Sequence, residues 1–255
     1  SGTVTFAAGS PNQMLTLGDS AGGTVFTGPA AARVEGGAMG DNVTGGDGAD
    51  TFAGNAGDDT LSGGQGNDVL TGGTGTNLIT GGDGTDRFIL SAGETLTISD
   101  FEGASAYEYI DLRAFAGVGF GDLVITENGG NARVALPGNA ASIILTGVSA
   151  ASLNAADFVF AGQDAPALFT LTSGADAFTG TGSDDLFDRV GQISQLDASV
   201  DMLDGGAGLD TLRAFGSDRT LGEARLDAMT SIEVIDLTQA TGTHEVTIDG
   251  QIASS

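Results

Sequence analysis

The sequence predicts an all-β protein organised around a parallel β-solenoid of nonapeptide repeats. Six consecutive nine-residue units stand in unbroken register over residues 36–89. Glycine occupies the first column of every unit, and an apolar side chain occupies the eighth. This pattern indicates a solenoid, because a single unit cannot bury its one apolar residue unless neighbouring units stack on it.

The columns of the repeat assign each part of a unit to a turn or a strand. Glycine reaches backbone conformations that strain other residues, so the first six residues of each unit are predicted to form a tight turn. The last three form a short strand whose side chains alternate between two faces. The eighth column therefore faces the core, and it consists of Val43, Phe52, Leu61, Leu70, Ile79 and Phe88.

The sixth column is acidic and predicts a metal site. It consists of Asp41, Asp50, Asp59, Asp68, Asn77 and Asp86. Two units make one full turn, so every second member of this column stacks along the same edge, about 4.8 Å from the next. Carboxylates about 5 Å apart repel by roughly 1 to 3 kcal/mol at effective dielectrics between those of water and a protein surface. A hard cation that takes six or more oxygens would remove this repulsion, which favours calcium.

This register resembles the RTX (repeats in toxin) calcium-binding β-roll of proteins exported by type I secretion. The resemblance implies calcium held between successive turns by the acidic sixth column and by turn carbonyls. Those carbonyls belong to Gly46, Gly48, Gly57, Gly64, Gly66, Gly73, Gly75, Gly82 and Gly84. It also implies that folding waits until the chain meets extracellular calcium. Asn77 keeps an oxygen but loses a charge, so we expect the position between Asp59 and Asn77 to be the weaker one.

The segment before the repeats, residues 1–35, is predicted to form irregular solenoid turns that close the open end of the roll. It has short apolar runs separated by Gly, Ser, Asn and Pro, which is typical of strands and turns. Residues 18–22 match the G-x-S-x-G pattern of serine hydrolases. Strand-like residues 24–27 follow where that pattern requires a helix, which argues against Ser20 as a nucleophile.

Residues 91–162 are predicted to form an antiparallel β cap on the roll. Strand-like segments alternate there with loops that contain Gly, Asn and Pro. The arrangement looks like the strand cap that follows the β-roll in serralysin-type proteases and related exported proteins. By that resemblance Asp100 and Asp111 are expected to close a last calcium site. An equally good interpretation is that both are turn or capping residues.

A second, smaller β-rich segment with degenerate RTX-like repeats is predicted over residues 163–255. Asp176 and Asp185 fall in the sixth column of two degenerate units. Asp210 belongs to a near-perfect unit, which makes it the best ligand candidate of this half. Such segments are similar to those of large repetitive surface proteins and adhesins. The chain also starts with Ser1 rather than Met, so we expect it to be a fragment of a larger protein.

The composition argues against several classes of function. The chain has 34 acidic and 8 basic residues, and its formal net charge of −26 disfavours nucleic acid and anionic membranes as partners. It contains no Cys and one His, which excludes disulfides, Cys-based metal sites and His-pair zinc sites. No secretory signal peptide or membrane-spanning run is visible. We therefore predict that the chain is not an enzyme and does not insert into a membrane.

Two functions remain. The preferred one is a non-catalytic, calcium-dependent folding and display module of a large adhesin-like bacterial protein. Its predicted partners are calcium ions, the type I secretion machinery and a host or cell-surface ligand, and its predicted location is extracellular or on the surface of a Gram-negative bacterium. The alternative is the C-terminal appendage of an exported hydrolase, a protease or lipase, whose catalytic domain lies outside this chain. The second repeat segment favours the first, because a simple exoenzyme would end near Phe160.

Overall fold

The structure, a computed structural model, describes the chain in several ranges. These are residues 3–5, 13–18, 22–103, 108–163, 168–171, 177–182, 185–189, 202–206, 210–213, 220–221, 229–232, 234–236 and 245–246. The chain divides into two compact units, Ser1–Gly162 and Gln163–Ser255.

The first unit consists mainly of short strands. In chain order they are β1 (Thr3–Thr5), β2 (Gln13–Thr16), β3 (Thr24–Phe26), β4 (Ala32–Glu35), β5 (Asn42–Thr44), β6 (Thr51–Ala53), β7 (Thr60–Gln65), β8 (Val69–Thr71), β9 (Gly75–Asp83), β10 (Arg87–Ile89), β11 (Glu94–Ile98), β12 (Tyr109–Asp111), β13 (Val124–Asn128), β14 (Asn131–Ala135), β15 (Ser142–Leu145) and β16 (Phe158–Val159). Short 3-10 helices lie at Phe120–Asp122, Pro137–Asn139 and Ala155–Asp157. No helix in the described ranges is long and apolar enough to cross a membrane.

These strands form two sheets, and from β1 to β12 successive strands belong alternately to one sheet and the other. Among the described residues, one sheet has the spatial order β1-β3-β5-β7-β9-β11-β15-β14-β13, and the other has the order β16-β12-β10-β8-β6-β4-β2. The pairing offset is constant through the repeats: Asn42 pairs with Thr60, Thr60 with Leu78, and Thr51 with Val69. Each turn therefore holds two nonapeptides, and the predicted parallel β-solenoid is confirmed. We call β3 to β11 the roll.

The eighth column of the repeat forms the core of the roll. One ladder consists of Val43, Leu61 and Ile79, and the other consists of Phe52, Leu70 and Phe88. Each of these side chains is at most 1% exposed. Because each lies over its counterpart in the next turn, apolar burial accumulates along the axis, and a single turn would have none of it.

Replacing Leu70 with alanine should destabilise the first unit by about 2 to 5 kcal/mol, because it empties a fully buried position between Phe52 and Phe88. Leu78→Ala is the matched control, since Leu78 belongs to the seventh column and is 42% exposed. We expect the control to cost about 0.5 kcal/mol or less. Denaturant unfolding in saturating calcium measures both, and equal losses would contradict the assignment of the core face.

The lead-in joins the roll earlier than the sequence predicts. The pairs Thr24–Asn42 and Arg33–Thr51 have the same offset as the pairs within the repeats. Val34 is 1% exposed and extends the apolar ladder, which is why the chain is regular here. At β3 and β4 the regular offset replaces the irregular turns predicted over residues 1–35. β1 and β2 pair with β3 and β4 at larger offsets.

The segment after the repeats continues the solenoid before it folds back. β11 and β12 pair in parallel with β9 and β10, and β15 and β16 add a further parallel layer. Within the described residues, antiparallel pairing joins only β13 to β14 and β14 to β15. The antiparallel cap predicted over residues 91–162 is therefore limited to this meander. Leu96, Ile98 and Ile110 are fully buried and extend the apolar ladders, which keeps their strands on the parallel path.

The second unit also consists of parallel strands where it is described. They are β17 (Leu168–Leu171), β18 (Ala177–Thr179), β19 (Leu186–Arg189), β20 (Met202–Asp204), β21 (Thr211–Arg213), β22 (Thr220–Leu221), β23 (Met229–Thr230), β24 (Val234–Asp236) and β25 (Glu245–Val246). They pair in the orders β17-β19-β21-β24, β18-β20-β23 and β22-β25. Phe187, Leu203 and Leu212 form a small buried core.

Candidate metal centre

The sixth-column side chains form a hydrogen-bonded ladder along each edge of the roll. On one edge, the backbone N–H of Asp50 donates to Asp68 Oδ1 at 2.7 Å, and the N–H of Asp68 donates to Asp86 Oδ1 at 2.8 Å. On the other edge, the N–H of Asp41 donates to Asp59 Oδ1 at 2.7 Å. Each bond spans 18 residues, which is one turn. One carboxylate oxygen of each side chain is thus committed to the preceding turn.

The second carboxylate oxygens have different surroundings along the roll. Oδ2 of Asp41 accepts from the N–H of Gly37 at 2.8 Å. In the described part of the chain, Oδ2 of Asp59, Asp68 and Asp86 is buried and accepts no hydrogen bond. An ionised oxygen that is buried without a donor is strongly unfavourable. These three oxygens therefore require either a proton or a cation.

The pKa values of these carboxyls express the same requirement. Burial raises the pKa of Asp68 to about 7, and the neighbouring carboxylates Asp86 and Asp50 add to the rise. Burial likewise raises the pKa of Asp59 and of Asp86 to about 6, and it raises the pKa of Asp50. In each case these effects outweigh the backbone N–H bond, which lowers the pKa. A bound cation would act in the opposite direction and favour the ionised form.

The first-column glycines form a cradle for such a cation. A Cβ placed on Gly63 would lie 2.0 Å from Asp68 Oδ2 and 2.6 Å from the carbonyl oxygen of Gly81. A Cβ placed on Gly54 would meet Asp59 Oδ2 at 2.2 Å. A carboxylate oxygen and a carbonyl oxygen of the next turn thus converge where only glycine leaves space. Such all-oxygen donor sets suit calcium.

The turn glycines predicted as carbonyl ligands lie against the adjacent turns. Positive φ values, between 98° and 141°, are found for Gly57, Gly64, Gly66, Gly73, Gly75, Gly82 and Gly84. A Cβ on Gly64 would lie 2.3 Å from the carbonyl oxygen of Gly46, and one on Gly66 would lie 2.8 Å from that of Gly48. No group of three or more acidic or imidazole side chains in the described ranges is placed to hold a metal. Backbone carbonyls would therefore have to supply most of the ligands.

A family model of the RTX calcium-binding nonapeptide repeat, in four copies, matches residues 35–70, 62–94 and 197–219. These segments are RTX calcium-binding repeats. The family binds calcium, and the unpartnered oxygens of Asp59, Asp68 and Asp86 fit that ion. The prediction of calcium as the cofactor is thus confirmed.

Solved structures similar to this chain include two subunits of a mannuronan C5-epimerase from Azotobacter vinelandii. The AlgE6R3 subunit is 27% identical with a TM-score of 0.41, and the match covers 50% of this chain and 81% of that one. The AlgE6R2 subunit is 24% identical with a TM-score of 0.40, and the match covers 50% of this chain and 91% of that one. The search of curated proteins found no match.

Two buried glutamates next to the RTX repeats were not predicted from the sequence. Glu94 is 1% exposed and contacts Asn77, and burial raises its pKa to about 7. Glu108 is 2% exposed, and burial, with Asp86 as the largest charged contributor, raises its pKa to about 8. Because Arg87 pairs with Tyr109, Glu108 extends the sixth-column stack beyond Asp86. Glu94 lies one residue before the position that counting places one turn after Asn77, and Glu108 lies four residues beyond the position one turn after Asp86. The constant repeat therefore assigns neither of them.

Asp100 and Asp111, predicted to close a last RTX calcium site, have separate roles. Asp100 accepts hydrogen bonds from the N–H groups of Gly81 at 3.0 Å and Gly82 at 2.9 Å, so it caps the last repeat turn. Asp111 forms ion pairs with Arg87 and Arg113. Burial alone would raise its pKa, but the two arginines outweigh burial and lower the pKa. The charge of Asp111 is therefore neutralised by guanidinium groups.

The second unit repeats the ladder once in its described part. The N–H of Asp185 donates to Asp210 Oδ1 at 2.7 Å, across 25 residues rather than one regular turn. Both side chains are at most 1% exposed. A Cβ on Gly205 would lie 2.5 Å from Asp210 Oδ2 and 2.0 Å from the carbonyl oxygen of Ser231, as in the cradles of the roll. Asp176 lies outside the described residues.

Proposed function

We propose that this chain is a non-catalytic module that folds on binding calcium and displays the larger protein to which it belongs. The observation that carries the proposal is the set of buried, unpartnered Oδ2 atoms at Asp59, Asp68 and Asp86. Without a cation these oxygens oppose folding at neutral pH, and calcium converts them into links between turns. The module's stability is then set by the calcium concentration.

The calcium concentration would keep this module unfolded inside the cell and let it fold outside. The formal net charge of −26 opposes compaction when calcium is scarce. Extracellular calcium modules bind with dissociation constants of about 10⁻⁴ to 10⁻³ M, so a site of this kind is empty in the cytoplasm and filled outside the cell. This behaviour suits export of an unfolded chain by type I secretion. The proposed ligands are the sixth-column aspartates of the roll with their turn carbonyls, and Asp185 and Asp210 in the second unit.

We further propose that the parent is a large, adhesin-like surface protein of a Gram-negative bacterium. The second unit supports this, because its Asp185–Asp210 ladder indicates that repeat-like structure resumes after β16. A host or cell-surface ligand would then bind elsewhere on the parent. The alternative, an appendage of an exported hydrolase, predicts a catalytic domain joined to this module and would be decided by the sequence of the whole parent.

The test is a far-UV circular dichroism titration of the chelator-treated chain with calcium, and with magnesium as the ion control. We expect a cooperative gain of β signal with calcium alone. Asp68→Asn should raise the calcium midpoint roughly tenfold, which corresponds to about 1.4 kcal/mol, because it removes the charge of a buried, unpartnered oxygen. Asp58→Asn is the matched control: its exposed Oδ1 only accepts from the N–H of Thr76, which an amide oxygen also does.

A chain that is fully folded in chelator at neutral pH and indifferent to calcium would contradict the proposed function. Equal midpoints for Asp68→Asn and Asp58→Asn would contradict the assignment of the sixth column as its source.

A further inference from the structure

Asn77 is bonded differently from the aspartates above it in the ladder. Its Oδ1 accepts from the N–H of Asp59 at 2.9 Å, as an aspartate Oδ1 does elsewhere. Its second polar atom is a donor: Nδ2 donates to Glu94 Oε1 at 2.9 Å and to the carbonyl oxygen of Gly73 at 3.4 Å. At Asp68 the corresponding atom is an oxygen that accepts no hydrogen bond. The requirement for a cation is therefore absent at Asn77.

Glu94 occupies the place that a turn carbonyl has elsewhere. A Cβ on Gly54 would meet Asp59 Oδ2 at 2.2 Å and the carbonyl oxygen of Gly72 at 2.5 Å. A Cβ on Gly72 would instead meet Glu94 Oε1 at 2.1 Å and Asn77 Nδ2 at 2.5 Å. The two oxygens of an ordinary cradle are thus replaced by one oxygen and one amide nitrogen.

The orientation of the Asn77 amide is fixed by its neighbours. Turning it over would place Nδ2 against the N–H of Asp59 and Oδ1 against the Glu94 carboxylate, which puts donor on donor and acceptor on acceptor. The other oxygen of Glu94 accepts from the N–H of Ser91 at 2.8 Å. Asn77 and Glu94 are each 1% exposed, so the pair is buried and its bonds are made within the chain. An amide donor aimed into the cradle repels a cation.

We propose that the Asn77–Glu94 pair is a metal-free closure of this edge of the roll, one turn beyond the position between Asp59 and Asn77 that the sequence predicts to be the weaker calcium position. The inference rests on the proposed calcium function. The hydrogen bond from Asn77 to Glu94 links two successive turns, as calcium links the turns before them. This edge therefore binds one ion fewer than an edge with aspartate throughout, and the contact between β9 and β11 in the folded roll needs no ion of its own.

The first test is Asn77→Asp in the full chain, with bound calcium counted by native mass spectrometry. The substitution replaces the amide donor by a second carboxylate facing Glu94, which recreates the demand for a cation. We expect one additional calcium ion per chain. At a subsaturating calcium concentration at which both chains are folded, we expect amide hydrogen exchange in residues 75–83 and 94–98 to be at least about tenfold faster than in the unsubstituted chain, because one hydrogen bond becomes a repulsion.

Asp59→Asn is the matched control on the same edge, one turn earlier. It makes the reverse chemical change at a position where Oδ2 has no partner. We expect it to lose one ion per chain. This control separates the two proposals. If the unsubstituted chain and every variant bind no calcium, the proposed function fails, and the closure that rests on it fails too. If Asp59→Asn loses an ion, the proposed function stands and the closure is tested by Asn77→Asp alone.

Glu94→Gln distinguishes a metal-free pair from a metal ligand. A glutamine oxygen still accepts from Asn77, while the N–H of Ser91 loses its acceptor. We therefore expect faster amide exchange at the same subsaturating calcium concentration and an unchanged number of ions at saturation. The inference is overturned if Asn77→Asp leaves the ion count unchanged while Asp59→Asn lowers it. It is equally overturned if Glu94→Gln removes an ion.

Discussion

Gly63→Ala should prevent the roll from forming its central calcium turn and should cost at least about 2 to 3 kcal/mol of unfolding free energy. Gly63 does not have a positive φ, so an alanine backbone would be unstrained there. The cost comes from space: the added Cβ would lie 2.0 Å from Asp68 Oδ2 and 2.6 Å from the carbonyl oxygen of Gly81. The carboxylate can rotate away, but the backbone carbonyl of the next turn cannot.

The same substitution should weaken calcium binding as well as stability. A carboxylate displaced from the cradle no longer aims Oδ2 at the ion, so we expect the calcium midpoint to rise by at least about tenfold, or about 1.4 kcal/mol. Gly121→Ala is the matched control, because a Cβ there meets nothing within 4 Å and its φ is not positive. Calcium titrations followed by circular dichroism, with denaturant unfolding in saturating calcium, measure both quantities. A midpoint for Gly63→Ala within twofold of that for Gly121→Ala would contradict the cradle.

The register and the edges of the roll could be predicted because the repeat has a constant length. With nine residues per unit, counting alone stacks Asp50 on Asp68 on Asp86, and the ladder bonds follow the same offset of 18 residues. The apolar eighth column is equally a matter of counting. Physical chemistry then supplies the rest, because stacked buried carboxylates demand a cation.

Positions outside the constant repeat could not be found by counting. Glu94 lies 17 residues from Asn77, one short of a full turn, and reaches it only through the path of β11. Glu108 stacks on Asp86 after a longer loop, and the pairing of Arg87 with Tyr109 reveals this. Loop length between strands is set by how the loop packs, which the repeat pattern does not encode.

Asp111 shows a second limit of sequence reasoning. An aspartate after an apolar run has the same local appearance whether it binds a metal or an arginine. Here β10 and β12 pair side by side, which places Arg87 next to Asp111, and Arg113 follows two residues later on the chain. The charge of its neighbours, rather than its own type, decides the role of such a carboxylate.

Acidification should restore the fold of the calcium-free chain, and calcium should restore it at neutral pH. Folded-state pKa values of about 6 for Asp59 and Asp86 and about 7 for Asp68 lie above the ordinary value of 3.8. The folded state therefore binds more protons than the unfolded state between roughly pH 4 and 7. Stability in chelator is greatest at the acidic end of this window and falls as the pH rises through the folded-state pKa values.

The size of the effect is large compared with the stability of a domain. A carboxyl whose pKa rises from 3.8 to about 6 on folding makes the folded state less stable at neutral pH than at low pH, by on the order of 3 kcal/mol. Domains are stable by only about 5 to 15 kcal/mol. Several such groups can therefore decide whether the roll folds. Asp111 acts in the opposite sense, because its pKa is lowered. Its contribution is lost only when the pH falls below about 4, so the assay should remain above that value.

The measurement is far-UV circular dichroism and denaturant unfolding in chelator and in saturating calcium, at several values between about pH 4.5 and 8. In chelator we expect β signal to be lost as the pH rises, and in calcium we expect it to be kept. Asp68→Asn should reduce the pH dependence in chelator, because it removes the group whose pKa is raised to about 7. A chelated chain that gains stability with rising pH would show that these carboxylates have donors or cations of their own. We expect the stability measured in chelator to approach the stability measured in calcium as the pH falls. Such convergence would mean that protons at acidic pH and calcium at neutral pH neutralise the same buried carboxylate oxygens.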